Sequence, residues 1–146
     1  MLQIARINPE ALAEYEFHLR PETFTEETAR AIVVREKLPH GEGSDLGIMY
    51  VLKMWEGVGT TSAYLGPHVW GKSPIRMVRQ VTRELDRAAN ELGLWRVQAE
   101  SPYDAPRYTR WLSLLGFRLE ASLSRYYPNG QDMWLLTKFY EENFNG

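Results

Sequence analysis

One helical run, set in a chain otherwise rich in strand patterns, decides the topology. From Pro74 the apolar period becomes helical: Ile75, Val78, Val81, Leu85, Ala88 and Leu92 fall on one face, and Gly93 supplies the usual stop. Ile48 to Trp55 and Thr60 to Val69 read as two strands before it, joined by a turn at Glu56-Gly57-Val58-Gly59, and Leu94 to Ala99 reads as the strand after it. Two strands linked through a helix of this length form a right-handed parallel crossover, spanning about residues 60–99.

The remaining elements favour antiparallel neighbours. Leu2 to Ile7 alternates apolar and polar residues and reads as a strand. Asn8 and Pro9 open a helix that runs to about Leu19, Asn as cap and Pro in the first turn. Thr25-Glu26-Glu27 looks like another helix start, whereas Ile32-Val33-Val34 favours a strand, so Ala29–Lys37 reads as a short helix giving way to a strand. The glycines of Pro39–Ser44 make that stretch a loop. Asp104 is placed to cap a second helix, with Pro106 in its first turn and Gly116 at its end. Phe117 to Tyr126 and Met133 to Tyr140 form a last antiparallel pair, turned at Pro128-Asn129-Gly130. The expectation is a single α/β domain over residues 1–146: a mixed, mostly antiparallel sheet with helices on both faces.

Composition narrows the function. The net charge of −2 argues against general nucleic-acid binding, which rests on neutralising phosphates. Residues 1–70 hold six Lys/Arg against ten Asp/Glu, residues 71–146 eleven against nine, so the basic excess begins just after Gly71. The absence of cysteine excludes disulfides, thiolate metal sites and a cysteine nucleophile, and His18, His40 and His68 lack the spacing of metal ligands. No signal pattern or membrane-length apolar run is seen, so a cytosolic protein without metal or membrane partner is expected.

The turn before the main helix carries the first chemical signal. Trp70-Gly71-Lys72-Ser73-Pro74-Ile75 joins a strand end to a helix N-terminus, where backbone N–H groups and the helix dipole favour a phosphate. Arg76, Arg79, Arg83 and Arg87 follow at helical spacing; the first two suit phosphates, and the last two suit pairing with Glu84, Asp86 and Glu91. This strand–turn–helix–strand–helix order, ending in Leu115-Gly116-Phe117, resembles the cofactor half of the GNAT acyltransferases, which use acetyl-CoA to acylate amines. The resemblance implies that the Leu65–Val69 strand, with Leu65, Gly66, Pro67 and Val69, pairs with pantetheine. It further implies that Trp70, Gly71, Lys72 and Ser73, with Arg76 and Arg79, meet the phosphates. The chain departs from the family loop at Trp70, which replaces a cationic or amide residue, at Ser73 and Ile75, which replace small ones, and at Pro74, which lacks an N–H.

Direct acyl transfer to an amine asks for a donor to polarise the thioester, a base for the amine and an acid for the departing sulfur. His68, the histidine at that strand's end, is the first candidate base and Glu56, acting through a water, the second. Family members place the acid, a tyrosine, four residues before the Gly of Leu-Gly-Phe, and an asparagine about seven before that. These positions are Leu112 and Ala105 here; Tyr108, one turn earlier, substitutes only if the helix is rotated or shifted. Trp111, Leu112 and Leu115 read as core.

The runs His68-Val69-Trp70-Gly71-Lys72 and Arg110–Gly116 also resemble divergent GNAT-like proteins of short-tailed bacteriophages, some of them internal virion proteins and others aimed at host enzymes. Arg125-Tyr126-Tyr127-Pro128-Asn129-Gly130, at a hairpin tip, fits either a protein interface or the flank of an acceptor site. Two functions follow. The first is an acetyl-CoA-dependent N-acetyltransferase acting on an amine of a small molecule or protein. The second is a degenerate protein of the same fold that binds a host protein in the host cytoplasm or sits in the virion. An open splay between the Tyr64–Val69 and Leu94–Ala99 strands favours the first; a groove plugged by Trp70 or Ile75 favours the second.

Overall fold

The structure, a computed structural model, describes residues 2–7, 25–36, 45–65, 75–102 and 105–145. Seven strands form one sheet: β1 (Leu2–Ile7), β2 (Ala29–Glu36), β3 (Asp45–Trp55), β4 (Val58–Leu65), β5 (Arg96–Pro102), β6 (Arg118–Leu123) and β7 (Met133–Phe139). Their order is β1-β2-β3-β4-β5-β7-β6. Every neighbouring pair is antiparallel except β4 and β5, which are parallel and linked through helix α1 (Ile75–Glu91), as the crossover pattern requires. Helix α2 (Pro106–Leu114) joins β5 to β6.

Ala29–Glu36 is strand throughout, and the expected helix before it is a turn at 26–28. Ile32 and Val33 fit a pleated surface, and β2 is paired on both sides, Ile32 lying between Arg6 of β1 and Met49 of β3. That double ladder outweighs the acidic start. The expected helix from Asn8 to Leu19, the Pro39–Ser44 loop and Asp104 lie outside the described residues. The N-cap of α2 is Ala105, without a side-chain cap, and Pro106 is its first helical residue.

Both described helices share one core. Met77, Val81, Leu85, Ala88, Ala89 and Leu92 of α1 and its C-terminal end pack with Trp111, Leu112 and Leu115 of α2 over Ile32, Met49, Val51, Val97, Ala99 and Leu136 of the sheet. Ile75, expected on that apolar face, is 72% exposed, and Met77 takes the inward position. The opposite sheet face carries a second cluster of Ala29, Ala31, Val33, Ile48 and Tyr50. Both helices end alike. Leu94 donates to the Ala89 carbonyl and Gly93 to Asn90, and Phe117 donates to Leu112 and Gly116 to Ser113. Those are the two bonds of a Schellman motif, with Gly93 and Gly116 at positive φ and the next apolar residue turned back into the core.

The parallel pair is clamped where it begins. The Gly57 carbonyl, in the two-residue turn between β3 and β4, accepts from the N–H groups of Trp95 and Arg96 at 2.8 and 3.1 Å. The Trp95 carbonyl accepts from Tyr140 N–H at 2.8 Å, and its indole meets the Phe144 ring edge-on at 5.4 Å. Gly57 has φ +77°, and a Cβ there would lie 2.1 Å from the Trp95 ring. A polar knot closes the helix side: Asp86 of α1 accepts from Lys138 Nζ at 2.7 Å and from the Tyr140 hydroxyl at 2.8 Å, and Lys138 also donates to the Leu115 carbonyl at 2.8 Å. One carboxylate thus ties α1 to β7 and, through lysine, to the end of α2.

Two stability predictions follow from these contacts, both checked by urea unfolding. Gly57→Ala combines a disfavoured φ with displacement of Trp95 and should cost about 1–3 kcal/mol or more. Asp86→Ala strands Lys138 and Tyr140 and, since the carboxylate is partly solvated, should cost about 1–3 kcal/mol.

Candidate active site

The ladder between β4 and β5 is short. Val58, Gly59, Thr60 and Thr61 pair with Arg96, Val97, Gln98 and Ala99, and there the pairing stops. Beyond it β4 continues through Leu65 on the edge of β3, and β5 continues through Pro102 on the edge of β7. Two strands held together at one end therefore part at the other, and among the described residues their facing edges have no ladder to each other there. The opening starts at Ser62 and Glu100, one step beyond the Leu94–Ala99 strand where it was expected, because the Gly57–Trp95 clamp keeps the first four residues in register.

Helix α2 places a phenol in this gap. Ser101, fully buried near the end of β5, shares a hydrogen bond with Thr109 at 3.0 Å, which pins the first turn of α2 to the strand. Tyr108, beside Thr109, lies against the main core and stacks on Trp111 with ring centroids 6.3 Å apart. Its hydroxyl reaches across to β4, where the Ala63 backbone hydrogen-bonds it. Burial pushes the Tyr108 pKa up to about 12, helped by the nearby Tyr50, Tyr127 and Glu100, while the Ala63 bond pulls the other way by favouring the phenolate.

Three further phenols surround the opening. Tyr50 of β3 sits opposite Ser62 in the ladder and bonds its side chain; burial raises its pKa first, the Ser62 bond lowers it, and Glu100 raises it again. Tyr126 donates to Glu100 Oε1 at 3.1 Å, and that bond is the main cause of its raised pKa. Tyr127 stands edge-on to Tyr126 at 5.2 Å and is raised by burial, then by Glu100. The loop between β6 and β7 holds both rings by its own bonds: Arg125 N–H to Asp132, Gln131 N–H to the Asn129 side chain, and Gly130 N–H to the Tyr127 carbonyl. Arg125 accepts φ +55° to make that turn.

The sequence-predicted residues divide by position. Tyr108 is at the gap, one turn before the family position, because Ser101 and Thr109 set how α2 starts. Leu65 is the last residue of β4, its backbone beside Gly47 and beyond the ladder to β5. Gly66, Pro67, His68, Val69, Trp70, Gly71, Lys72 and Ser73 lie outside the described residues. Arg76 is the second residue of α1 and Arg79 is exposed one turn later. Glu56 sits at the opposite end of β4, paired with Lys53 at 3.0 Å, roughly 20 Å along the strand from the opening. That distance puts it out of reach of any group bound beside Tyr108. Arg87 pairs with Glu91 at 3.4 Å as its spacing suggests, whereas Asp86 turns inward to Lys138. Glu100, Tyr50 and Ser62 carried no sequence signal beyond lying on strands.

No family model matches the chain and no curated protein matches it by sequence. Solved structures do match. A chimera of the spermidine N-acetyltransferase SpeG from Vibrio cholerae and hSSAT superposes with a TM-score of 0.70 at 14% identity, over 99% of each chain. IAA acetyltransferase from Bacillus cereus gives 0.70 at 15% identity, over 96% of this chain and 100% of that one. Ribosomal-protein-S5-alanine acetyltransferase from Vibrio fischeri gives 0.69 at 18%, over 98% and 95%. The chain has the GNAT fold. The identities are low, so the likeness is one of fold, and within the GNAT fold the parting of β4 from β5 is the feature the candidate site is built on.

The raised phenols have a measurable consequence. A tyrosine whose folded pKa lies above its unfolded value of about 10 stabilises the fold fully below that pH, and the contribution is lost as pH rises through the folded value. Tyr50, Tyr108, Tyr126, Tyr127 and Tyr140 are all raised, Tyr140 by burial first and then by its bond to Asp86. Absorbance titration of tyrosinate should show a late-ionising class coincident with alkaline unfolding. Tyr108→Phe should remove one phenol from that class; removal from the class ionising near 10 would mean that Tyr108 is not buried.

Proposed function

We propose that this protein is an acyl-CoA-dependent N-acyltransferase that transfers an acetyl group directly to an amine. The observation that carries the reading is the parted β4–β5 pair with the Tyr108 hydroxyl at Ala63 inside it. The edge of β4 from Ser62 to Leu65, free of a ladder to β5 among the described residues, offers backbone groups to a pantetheine arm, and the facing edges leave room that a continuous ladder would close. The similar solved structures named above are acetyltransferases, one acting on spermidine and one on a ribosomal-protein alanine, which agrees with an amine acceptor. The pyrophosphate falls to Trp70, Gly71, Lys72 and Ser73, with Arg76 and Arg79 on the first turns of α1, and Leu65, Gly66, Pro67 and Val69 are the candidates to meet pantetheine.

The chemistry is then a single displacement. The neutral amine nitrogen attacks the thioester carbon, the carbon–sulfur bond breaks, and the thiolate takes a proton while the new amide loses one. Tyr108 holds its proton throughout the neutral range and donates its hydroxyl to the sulfur. A thiol ionises near about 8.5, so full transfer from a phenol held near 12 is uphill. Tyr108 therefore acts first as a hydrogen-bond donor, and the Ala63 bond supports whatever charge it gains. His68 is the candidate to take the amine proton; Glu56 is too far along β4 to do so. The binding-only alternative, with a host or virion protein as partner, is favoured by a groove plugged by Trp70 or Ile75; Ile75 is exposed and fills none, and Trp70 lies outside the described residues. Among the described residues no helix is long and apolar enough to cross a membrane.

Acetyl-CoA binding by calorimetry tests the reading directly: micromolar affinity is expected, and no binding at millimolar ligand would end it. Gly71→Glu, which sets a carboxylate against the phosphates, should abolish that binding without unfolding the chain. Tyr108→Phe should leave acetyl-CoA affinity unchanged and slow acyl transfer on the order of 100-fold, the low end for a lost hydrogen-bond donor to developing charge. A full-rate Tyr108→Phe would leave sulfur protonation to water.

A further inference from the structure

The carboxylates that join elements of this fold have cationic partners: Asp86 has Lys138, Glu91 has Arg30 and Arg87, Glu120 has Arg96. Glu100 has none among the described residues. It projects from β5 just where the ladder to β4 has ended, and its one hydrogen bond comes from the neutral Tyr126 hydroxyl. Its charge reaches the phenols of Tyr50, Tyr108 and Tyr127 and raises each of them. Among the described residues the mouth of the gap thus holds a single negative charge walled by aromatic rings, a field complementary to one cation with an apolar body.

We propose that Glu100 anchors an acceptor bearing a single ammonium group on a compact aromatic or aliphatic frame, with Tyr126 and Tyr127 covering the frame. The inference rests on the acyltransferase reading and narrows its substrate to monocationic primary amines. One carboxylate matches one charge; among the described residues a polycation would find no counter-ion here for its second ammonium. The bonds of Arg125, Gln131 and Gly130 brace the loop that carries the two rings. Rings of this kind contact a hydrophobic frame at little entropic cost.

Phenethylamine titrated into isotope-labelled full-length protein with CoA present, followed by chemical shifts near neutral pH, reads this site without turnover. The wild type should bind it, with the shifts centred on Glu100 and the two loop tyrosines. Glu100→Gln keeps the acceptor oxygen for Tyr126 and should weaken binding about tenfold or more. Tyr126→Phe keeps both charge and ring and should bind within a few fold of wild type. Phenylpropionate, with a similar frame and the opposite charge, should not bind. Equal binding to Glu100→Gln, equal binding of phenylpropionate, loss in Tyr126→Phe as full as in Glu100→Gln, or much tighter binding of spermidine would each overturn the proposal. Calorimetry with acetyl-CoA on the same samples separates the two claims. Amine binding that depends on Glu100 without any acetyl-CoA binding sinks the acyltransferase and leaves the cation site standing. Acetyl-CoA binding without Glu100-dependent amine binding does the reverse.

Discussion

The site depends on one parallel ladder that is fastened at only one end. Four residues of β4 pair with four of β5, and at their start the Gly57 carbonyl takes two N–H groups from Trp95 and Arg96. Because that end cannot slip, any divergence between the strands accumulates at the other end, where β4 follows β3 and β5 follows β7. Sheet twist supplies the divergence. Unpaired backbone on the facing edges would be costly if buried without partners, so the opening is stable as a place where water or a ligand reaches the strands.

The polar groups are arranged to keep the clamp rigid and the opening reactive. On the helix side Asp86, Lys138, Tyr140 and the Leu115 carbonyl satisfy one another and lock α1, β7 and the end of α2 together. On the opposite sheet face Arg96 grips Glu120 with two bonds at 2.8 and 2.6 Å, and Thr137 donates to the same carboxylate. These bonds hold the Glu120 pKa below the ordinary carboxylate value, the Arg96 bonds most of all. Charge is neutralised within each group. At the mouth of the gap it is not: among the described residues Glu100 meets phenols and no cation, the imbalance on which the proposed preference for positive charge rests.

Much of the architecture was legible in the sequence because local rules and tertiary packing agreed. The α1 stripe from Val81 to Leu92, the stops at Gly93 and Gly116, and the Asn129-Gly130 turn each have a local physical cause that the fold respects. Where local rules conflicted, the sheet decided. The acidic start at Thr25–Glu27 gave way to a strand at Ala29 because that segment has a partner on either side. Ile75 fits the helical stripe but is exposed at the helix start, and Met77 is buried instead.

The candidate site was legible only in part. The parallel crossover could be read from the spacing of strand, helix and strand, and with it the presence of a β4–β5 pair. Tyr108 could be named as a substitute acid only on condition that its helix was shifted, and the Ser101–Thr109 bond that sets the start of α2 joins residues whose sequence has no recognisable pattern. Glu100 and Glu56 are indistinguishable as letters, each a polar residue near the end of a strand. The tertiary structure separates them along β4, setting Glu56 beside Lys53 at its start and Glu100 past the end of the β4–β5 ladder, among four phenols drawn from β3, α2 and the β6–β7 loop. Periodicity is a property of neighbours along the chain and so was determined by the sequence alone; the field around a carboxylate is a property of neighbours across it, and only the tertiary structure decided that.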